Sequence, residues 1–379
     1  MFEKLMFNIQ FKMISKSPIY QSFMKKFILL GMLFSFLSFN VKSQNFQAYG
    51  ITLCGAEFGE NNLPGTYGVN YVYPQTSEVD YFATKGVQVI QLPFKWERIQ
   101  RTLGGPLDTK ELSLIMKFVD DCAQKNIKVT LVLQNFGRYK INGVEHIIGD
   151  NVVTVAHFKD FWRKMAVAML DKYNVFAFSL MTEPHDMGKC SWAVSAQQGI
   201  LGIREVDRQT TIMVDGDNYS DPETWVKYND NLKYLYDPAN RMMFNAHCYF
   251  DEDHSGAYKR SYDACNASEN TGVNRMKNFV DWLKNNNKKG FVGEFGVPKN
   301  DQRWLKVMDN FLNYLKANGI GGCYWAAGQW WKNYPLSIEP INNSDQPQMR
   351  VYAKYLPTTT TNTSTAAKIS SNSSVAALR

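Results

Sequence analysis

Two glutamates stand in matching contexts. Glu183 closes an apolar run in "FSLMTEPHD" (178–186), and Glu294 closes another in "GFVGEFG" (290–296). Both runs read as buried strands. Two carboxylates brought together from such ends can split a glycosidic bond. One, protonated, releases the leaving oxygen; the other, ionised, attacks or activates water. Their surroundings must then push the two pKa values apart. Either glutamate alone reads equally well as a strand-end residue held by buried hydrogen bonds. The pair, with aromatic residues nearby, favours the chemistry.

A barrel would position them. From residue 50 onward, short apolar runs alternate with longer amphipathic ones. The expected strands are "ITLCGAEF" (51–58), "VQVIQLP" (87–93), "IKVTLVLQ" (127–134), "VFAFSLM" (175–181), "TTIMVDG" (210–216), "RMMFNAHCYF" (241–250), "GFVGEFG" (290–296) and "GGCYWAA" (321–327). Helical patterns lie between them, as at 108–126 and 155–173; Asp108 is the expected N-cap of the first, with Glu111 three residues on. Eight strand–helix units over about 280 residues is the cadence of a (β/α)8 TIM barrel. A doubly wound sheet would want a glycine-rich phosphate loop after the first strand, and none follows it. Barrel chemistry collects at the C-terminal strand ends. The polar residues expected there are Glu57, Gln91, Gln134, Asn135, Glu183, His185, His247, Tyr249, Glu294 and Trp325. The fourth and seventh strands face each other roughly across the barrel, so Glu183 and Glu294 can converge.

The bulk properties exclude several other classes. The 379-residue chain carries a formal charge of +7, but residues 1–43 hold six lysines against one acid, which leaves +2 for the rest. No basic surface for nucleic acid survives that partition. Met24-Lys25-Lys26 followed by "FILLGMLFSFLSF" (27–39) and "VKS" reads as a secretion signal within a leader of 1–43, with Gln44 starting the mature chain. The alternative is an uncleaved anchor. The expected domains are this leader, a catalytic barrel over 44–356, and a Thr/Ser-rich linker or tail over 357–379. Six cysteines in an exported chain permit disulfides, yet their spacings form no zinc pattern, and buried thiols fit as well. The expectation is an extracellular or periplasmic monomer with no cofactor and no metal. Its partner is a polysaccharide, with no nucleic acid and no membrane once the signal is cleaved.

"AEFGENNLPGTYGVNY", "LPFKWERIQ", "NFGRY", "EPHDM", "HCYFDEDHSG", "GFVGEFG" and "YWAAGQWW" occur in this order. Together they resemble the secreted endo-β-1,4-glucanases of glycoside hydrolase family 5, over roughly residues 50–340. The resemblance implies that Glu183 is the acid/base, matching the glutamate of the family's Asn-Glu-Pro motif, and that Glu294 is the nucleophile of a retaining double displacement. It implies too that His247 and Tyr249 border the nucleophile and that Trp325 floors the sugar site.

The sequence departs from that family at three site positions. Gln91 stands where the family has arginine, Gln134 where it has histidine, and Thr182 where it has asparagine. Losing the arginine removes a cation beside the nucleophile, which raises its pKa and weakens it as a carboxylate. Threonine keeps a hydroxyl but reaches less far than an amide. In the family these three positions surround the nucleophile and the 2-hydroxyl of the sugar being cleaved, where contacts tighten in the transition state and are worth several kcal/mol. Two readings follow. The replacements form a subsite rewired for a sugar modified at or near its 2-position, or the chain is a carbohydrate-binding pseudoenzyme that kept its groove. Retention of both glutamates, His247, Tyr249 and Trp325 favours the enzyme.

Weaker candidates complete the set. Trp96, Trp192, Trp330 and Trp331 invite sugar stacking, although most aromatics in such a chain are core. Asn135 is placed to orient a group from the third strand. "DEDHSG" (251–256) lacks the repeat of a calcium loop. Glu97 and Arg98 read as members of a structural ion-pair network.

Overall fold

The computed structural model describes residues 47–357; the expected leader, and the tail beyond Pro357, lie outside the described residues. Eight parallel strands close into a barrel. They are β1 (Tyr49–Leu53), β2 (Val89–Phe94), β3 (Lys128–Leu133), β6 (Val175–Ser179), β7 (Thr211–Asp215), β8 (Met242–His247), β9 (Gly290–Phe295) and β10 (Gly321–Ala327), with β1 sealing the ring between β2 and β10. β4 (Arg138–Ile141) and β5 (Val144–Ile147) form a separate antiparallel hairpin after β3.

Helices wrap the barrel. α1 (Thr76–Thr84), α2 (Trp96–Ile99), α3 (Thr109–Gln124), α4 (Val155–Ala168), α5 (Trp192–Arg204), α6 (Trp225–Asn229), α7 (Thr271–Asn285), α8 (Gln302–Ala317) and α9 (Pro347–Tyr352) lie between or after the strands. Asp108 caps α3 as its position predicts, accepting from the amides of Lys110 and Glu111 at 3.0 Å each. Glu111 does not complete a capping box. Its buried carboxylate accepts instead from the hydroxyls of Tyr71 and Tyr73.

Strand alternation explains how the barrel offers polar groups from a dry interior. Val89, Met213, Met243 and Cys323 pack together as one buried cluster with Ala48, Ala177 and Phe291. Side chains two residues apart share a strand face. One step further along the same strands come Gln91, Asp215, Asn245 and Trp325. The apolar plug thus supports a polar layer above it.

Three expectations need correction. The first strand is Tyr49–Leu53 rather than 51–58, so Glu57 lies in the following turn. Glu183 is four residues past β6 rather than at its end. Cys54 and Cys248 lie one residue past β1 and β8 rather than within strands, and all six cysteines are free thiols, one of the two states left open. Among the described residues, no helix is long and apolar enough to cross a membrane.

Candidate active site

Glu183 and Glu294 do converge. Glu294 sits within β9, while the segment after β6 turns back to carry Glu183. Glu183 adopts φ +46°, a left-handed conformation that a residue with a Cβ rarely takes. Its amide donates to Asp215 Oδ2 at 3.1 Å, and this bond helps hold the turn. Ligand atoms of Glu183, His247 and Glu294 all lie within 4.8 Å of one another.

His247, at the end of β8, bridges the carboxylates. Its Nδ1 is 2.8 Å from Glu183 Oε1 and 3.6 Å from Glu294 Oε2, and its Nε2 is 3.3 Å from Asp215 Oδ2. Burial opposes a charge on the ring, but Glu294, Asp215 and Glu183 outweigh it and raise its pKa to about 10. An imidazole protonated on both nitrogens cannot ligate a metal.

Tyr249 donates its hydroxyl to Glu294 Oε2 at 2.7 Å. Burial pushes Glu294 up to about 7, with Glu183 and Asp215 adding to the rise and His247 and Tyr249 opposing it. The raised group is thus the one that resemblance makes the nucleophile. When Glu183 carries a proton, its repulsion of Glu294 disappears, and His247 and Tyr249 still favour the ionised form.

Gln134, Thr182 and Gln91 lie in two hydrogen-bonded pairs, the second completed by Thr52. Thr182 donates to Gln134 Oε1 at 2.8 Å, and Thr52 donates to Gln91 Oε1 at 2.9 Å. All four residues are buried at the barrel mouth. Asn135 is engaged within the protein: its oxygen accepts from the Trp96 amide and its nitrogen donates to Glu97 Oε2, each at 2.8 Å. It ties the loop after β3 to α2. Trp325 is part-exposed, with Trp331 edge-on at 6.0 Å, and Trp331 stacks on Tyr334 at 4.3 Å.

Several candidates leave the site. Trp96 and Trp192 are 0% and 1% exposed and belong to the core. Glu97 and Arg98 do not pair with each other. Arg98 bonds the carbonyls of Pro64, Ala56 and Phe58 and lies over the Tyr71 ring. In 251–256, Asp251 accepts from the amides of Gly256 and Tyr258, which makes it the organiser of its own loop.

Two groups emerge that the strand-end inventory passed over, Asp215 and Asn245, both buried beside His247. A second feature opens beside Glu183 and His247. A cavity of about 610 Å³ is lined by Glu183, His247, Tyr219, Asp221 and the 252–255 loop, and Tyr219 stacks on His185 at 4.1 Å.

Residues 42–330 match the family described as cellulase (glycosyl hydrolase family 5). This chain belongs to glycoside hydrolase family 5. It is 32% identical over 305 residues to endo-β-1,4-glucanase B of Emericella nidulans, covering 79% of this chain and 88% of that one. It is also similar to the crystal structure of Pseudomonas stutzeri endoglucanase Cel5A in complex with cellobiose. That likeness has TM-score 0.78 and 36% identity, and covers 82% of this chain and 92% of that one. An endo-β-1,4-glucanase of Xanthomonas axonopodis pv. citri superposes with TM-score 0.76 at 33% identity, covering 82% and 98%. As a family 5 member, this glycoside hydrolase acts on O-glycosyl bonds.

Proposed function

We propose that this hydrolase is an exported, retaining enzyme that cleaves internal β-1,4 bonds of a glucan-type polysaccharide, with its central subsite altered for a sugar modified at or near the 2-position. The observation that carries the reading is the approach of Glu183 and Glu294, whose ligand oxygens lie within 4.8 Å. Retaining glycosidases keep their carboxyl groups about 5–5.5 Å apart, whereas inverting ones need about 6.5–9.5 Å to admit a water.

The hydrogen bonds divide the labour. His247 occupies Glu183 Oε1, so Oε2 carries the proton that goes to the leaving oxygen. Tyr249 occupies Glu294 Oε2, so Oε1 attacks the anomeric carbon. A glycosyl ester forms on Glu294 as the bond to the leaving oxygen breaks. Glu183, now ionised, takes a proton from water, which attacks the ester and releases the sugar.

Internal cleavage is supported by the cavity beside Glu183, which gives room on the leaving-group side. The β-1,4 linkage is supported by the relatives named for it and by the relative crystallised with cellobiose. Export rests on the leader sequence. The altered subsite is supported by the neutral pairs Thr182–Gln134 and Thr52–Gln91, at positions where the resemblance implies an arginine and a histidine in the family.

The reading is tested with a panel of polysaccharides that includes substituted and acidic β-glucans, using Glu294→Gln as the control. The expected result is depolymerisation of at least one member, lost in the variant, with mid-chain scission shown by a rapid fall in viscosity. Retained binding across the panel without cleavage of any member would instead make the chain a carbohydrate-binding protein.

A further inference from the structure

Asp215 is the most enclosed charge in the site, with 0% of its side chain exposed. It ends β7 and points into the barrel mouth behind the two glutamates. Three donors hydrogen-bond its two oxygens, and a ring nitrogen of His247 lies beside them. Asn245 Nδ2 is 2.8 Å and Ser179 Oγ 3.4 Å from Oδ1; the Glu183 amide is 3.1 Å and His247 Nε2 3.3 Å from Oδ2. A carboxylate has the acceptor sites for this, whereas a carboxylic acid would aim its own proton at one of the donors.

Asn245 supports the same assignment. It turns its nitrogen to Asp215 and leaves its own buried Oδ1 without a hydrogen-bond partner. A buried acceptor left unpaired costs about 1–3 kcal/mol. Flipping the amide would be favourable if Asp215 were a proton donor. The amide's orientation suits an ionised Asp215, and it also brings Nδ2 to 3.3 Å from His247 Nε2.

The consequence falls on His247. Carboxylate oxygens face both of its ring nitrogens, Glu183 at Nδ1 and Asp215 at Nε2. A neutral imidazole has one N–H and would turn a lone pair toward one of them. We propose that Asp215 is a positioning residue that holds His247 as a doubly protonated bridge between Glu183 and Glu294 and fixes the left-handed turn at Glu183. With a neutral amide at Gln91, the imidazolium supplies the positive charge beside Glu294. This rests on the assignment of Glu183 and Glu294 as the catalytic pair.

The groups facing this cluster are Glu183 after β6, Asp215 on β7, His247 at the end of β8, Tyr249 two residues past it, and Glu294 on β9. Tyr334 after β10 and Cys54 after β1 lie within electrostatic reach of Glu294. Removing the negative charge of Asp215 makes both His247 and Glu294 easier to deprotonate. Both limbs of the activity profile then move to lower pH.

The test uses the whole enzyme labelled with ¹⁵N-histidine, the His247 signals being assigned by their loss in His247→Gln. At pH 7.5 both ring nitrogens of wild-type His247 are expected to be protonated. In Asp215→Asn the doubly protonated fraction falls, and the kcat/KM–pH profile shifts to lower pH on both limbs by about one pH unit or more. A wild-type His247 with Nε2 unprotonated, accepting from Asn245, overturns the proposal. So does an Asp215→Asn profile that loses height with its limbs unmoved, the signature of a merely structural role. The wild-type spectrum decides the matter even if Asp215→Asn fails to fold. Failure of the catalytic assignment reads out separately, as normal turnover in Glu183→Gln or Glu294→Gln whatever the state of His247.

Discussion

Glu294→Ala should lose roughly 10⁵-fold or more in kcat, the scale seen when a nucleophile is removed, and azide should restore turnover of an activated aryl glycoside as the α-glycosyl azide. The cavity left by the side chain admits the anion to the face from which Glu294 attacks. Tyr249 has its hydroxyl 2.7 Å from the deleted carboxylate, so a donor remains to hold the small nucleophile in place. Glu183→Ala should behave differently. Its kcat on polysaccharide falls by about 10²–10⁴-fold, the usual worth of a general acid–base group. Its first step on a substrate with a good leaving group survives, because that leaving group needs no proton. Azide then intercepts the ester on Glu294 and gives the β-glycosyl azide. Opposite anomers from the two variants would fix which carboxylate does which job; the same anomer from both would break the assignment.

The second large effect concerns Gln91, Gln134 and Thr182. Changing all three to the family's residues, Gln91→Arg, Gln134→His and Thr182→Asn, should raise kcat/KM on cello-oligosaccharides by roughly 10²-fold while depressing activity on the native polymer. The scale follows from the several kcal/mol that contacts to the 2-hydroxyl contribute in the transition state. The structure sharpens the design. Thr182 and Gln134 bond each other directly, so their changes should be strongly non-additive, whereas Gln91 bonds Thr52 and should couple to them less. Gln91→Arg alone should do harm. The new guanidinium would be buried, would strand the Thr52 hydroxyl, and would compete with His247 for Glu294. Thr182→Ala and Gln91→Ala should lower native turnover more than they weaken ground-state binding. Unchanged native turnover in both would refute a rewired subsite.

The barrel was legible because buried parallel strands are short, apolar and bounded by turn formers, and each of the eight runs supplies a strand. Glu294, His247 and Tyr249 could be picked out from unaltered motifs and Glu183 from one changed at Thr182, and the fold brings the four side chains together. The β4–β5 hairpin escaped although its Asn142-Gly143 turn is a standard two-residue signal, with both residues at positive φ. Its strands are short and mostly half-buried, so apolar periodicity gave no cue. Asp215 closes an apolar run just as Glu294 does, yet nothing local distinguishes it from an ordinary strand end. Its surroundings come from residues 30 to 36 positions away in sequence, at Asn245, Glu183, His247 and Ser179. Trp96 and Trp192 illustrate the converse. Their type suits sugar, but burial assigns them to the core, and sequence does not report burial for a lone aromatic.

The central claim is that Glu183 and Glu294 act as acid/base and nucleophile with retention of configuration. Proton NMR of the anomeric region during the first minutes of hydrolysis, on the best substrate of the panel, tests it most directly. The account predicts that the new reducing end appears first as the β-anomer, with the α-anomer growing in later at the rate of mutarotation. Initial release of the α-anomer would contradict it.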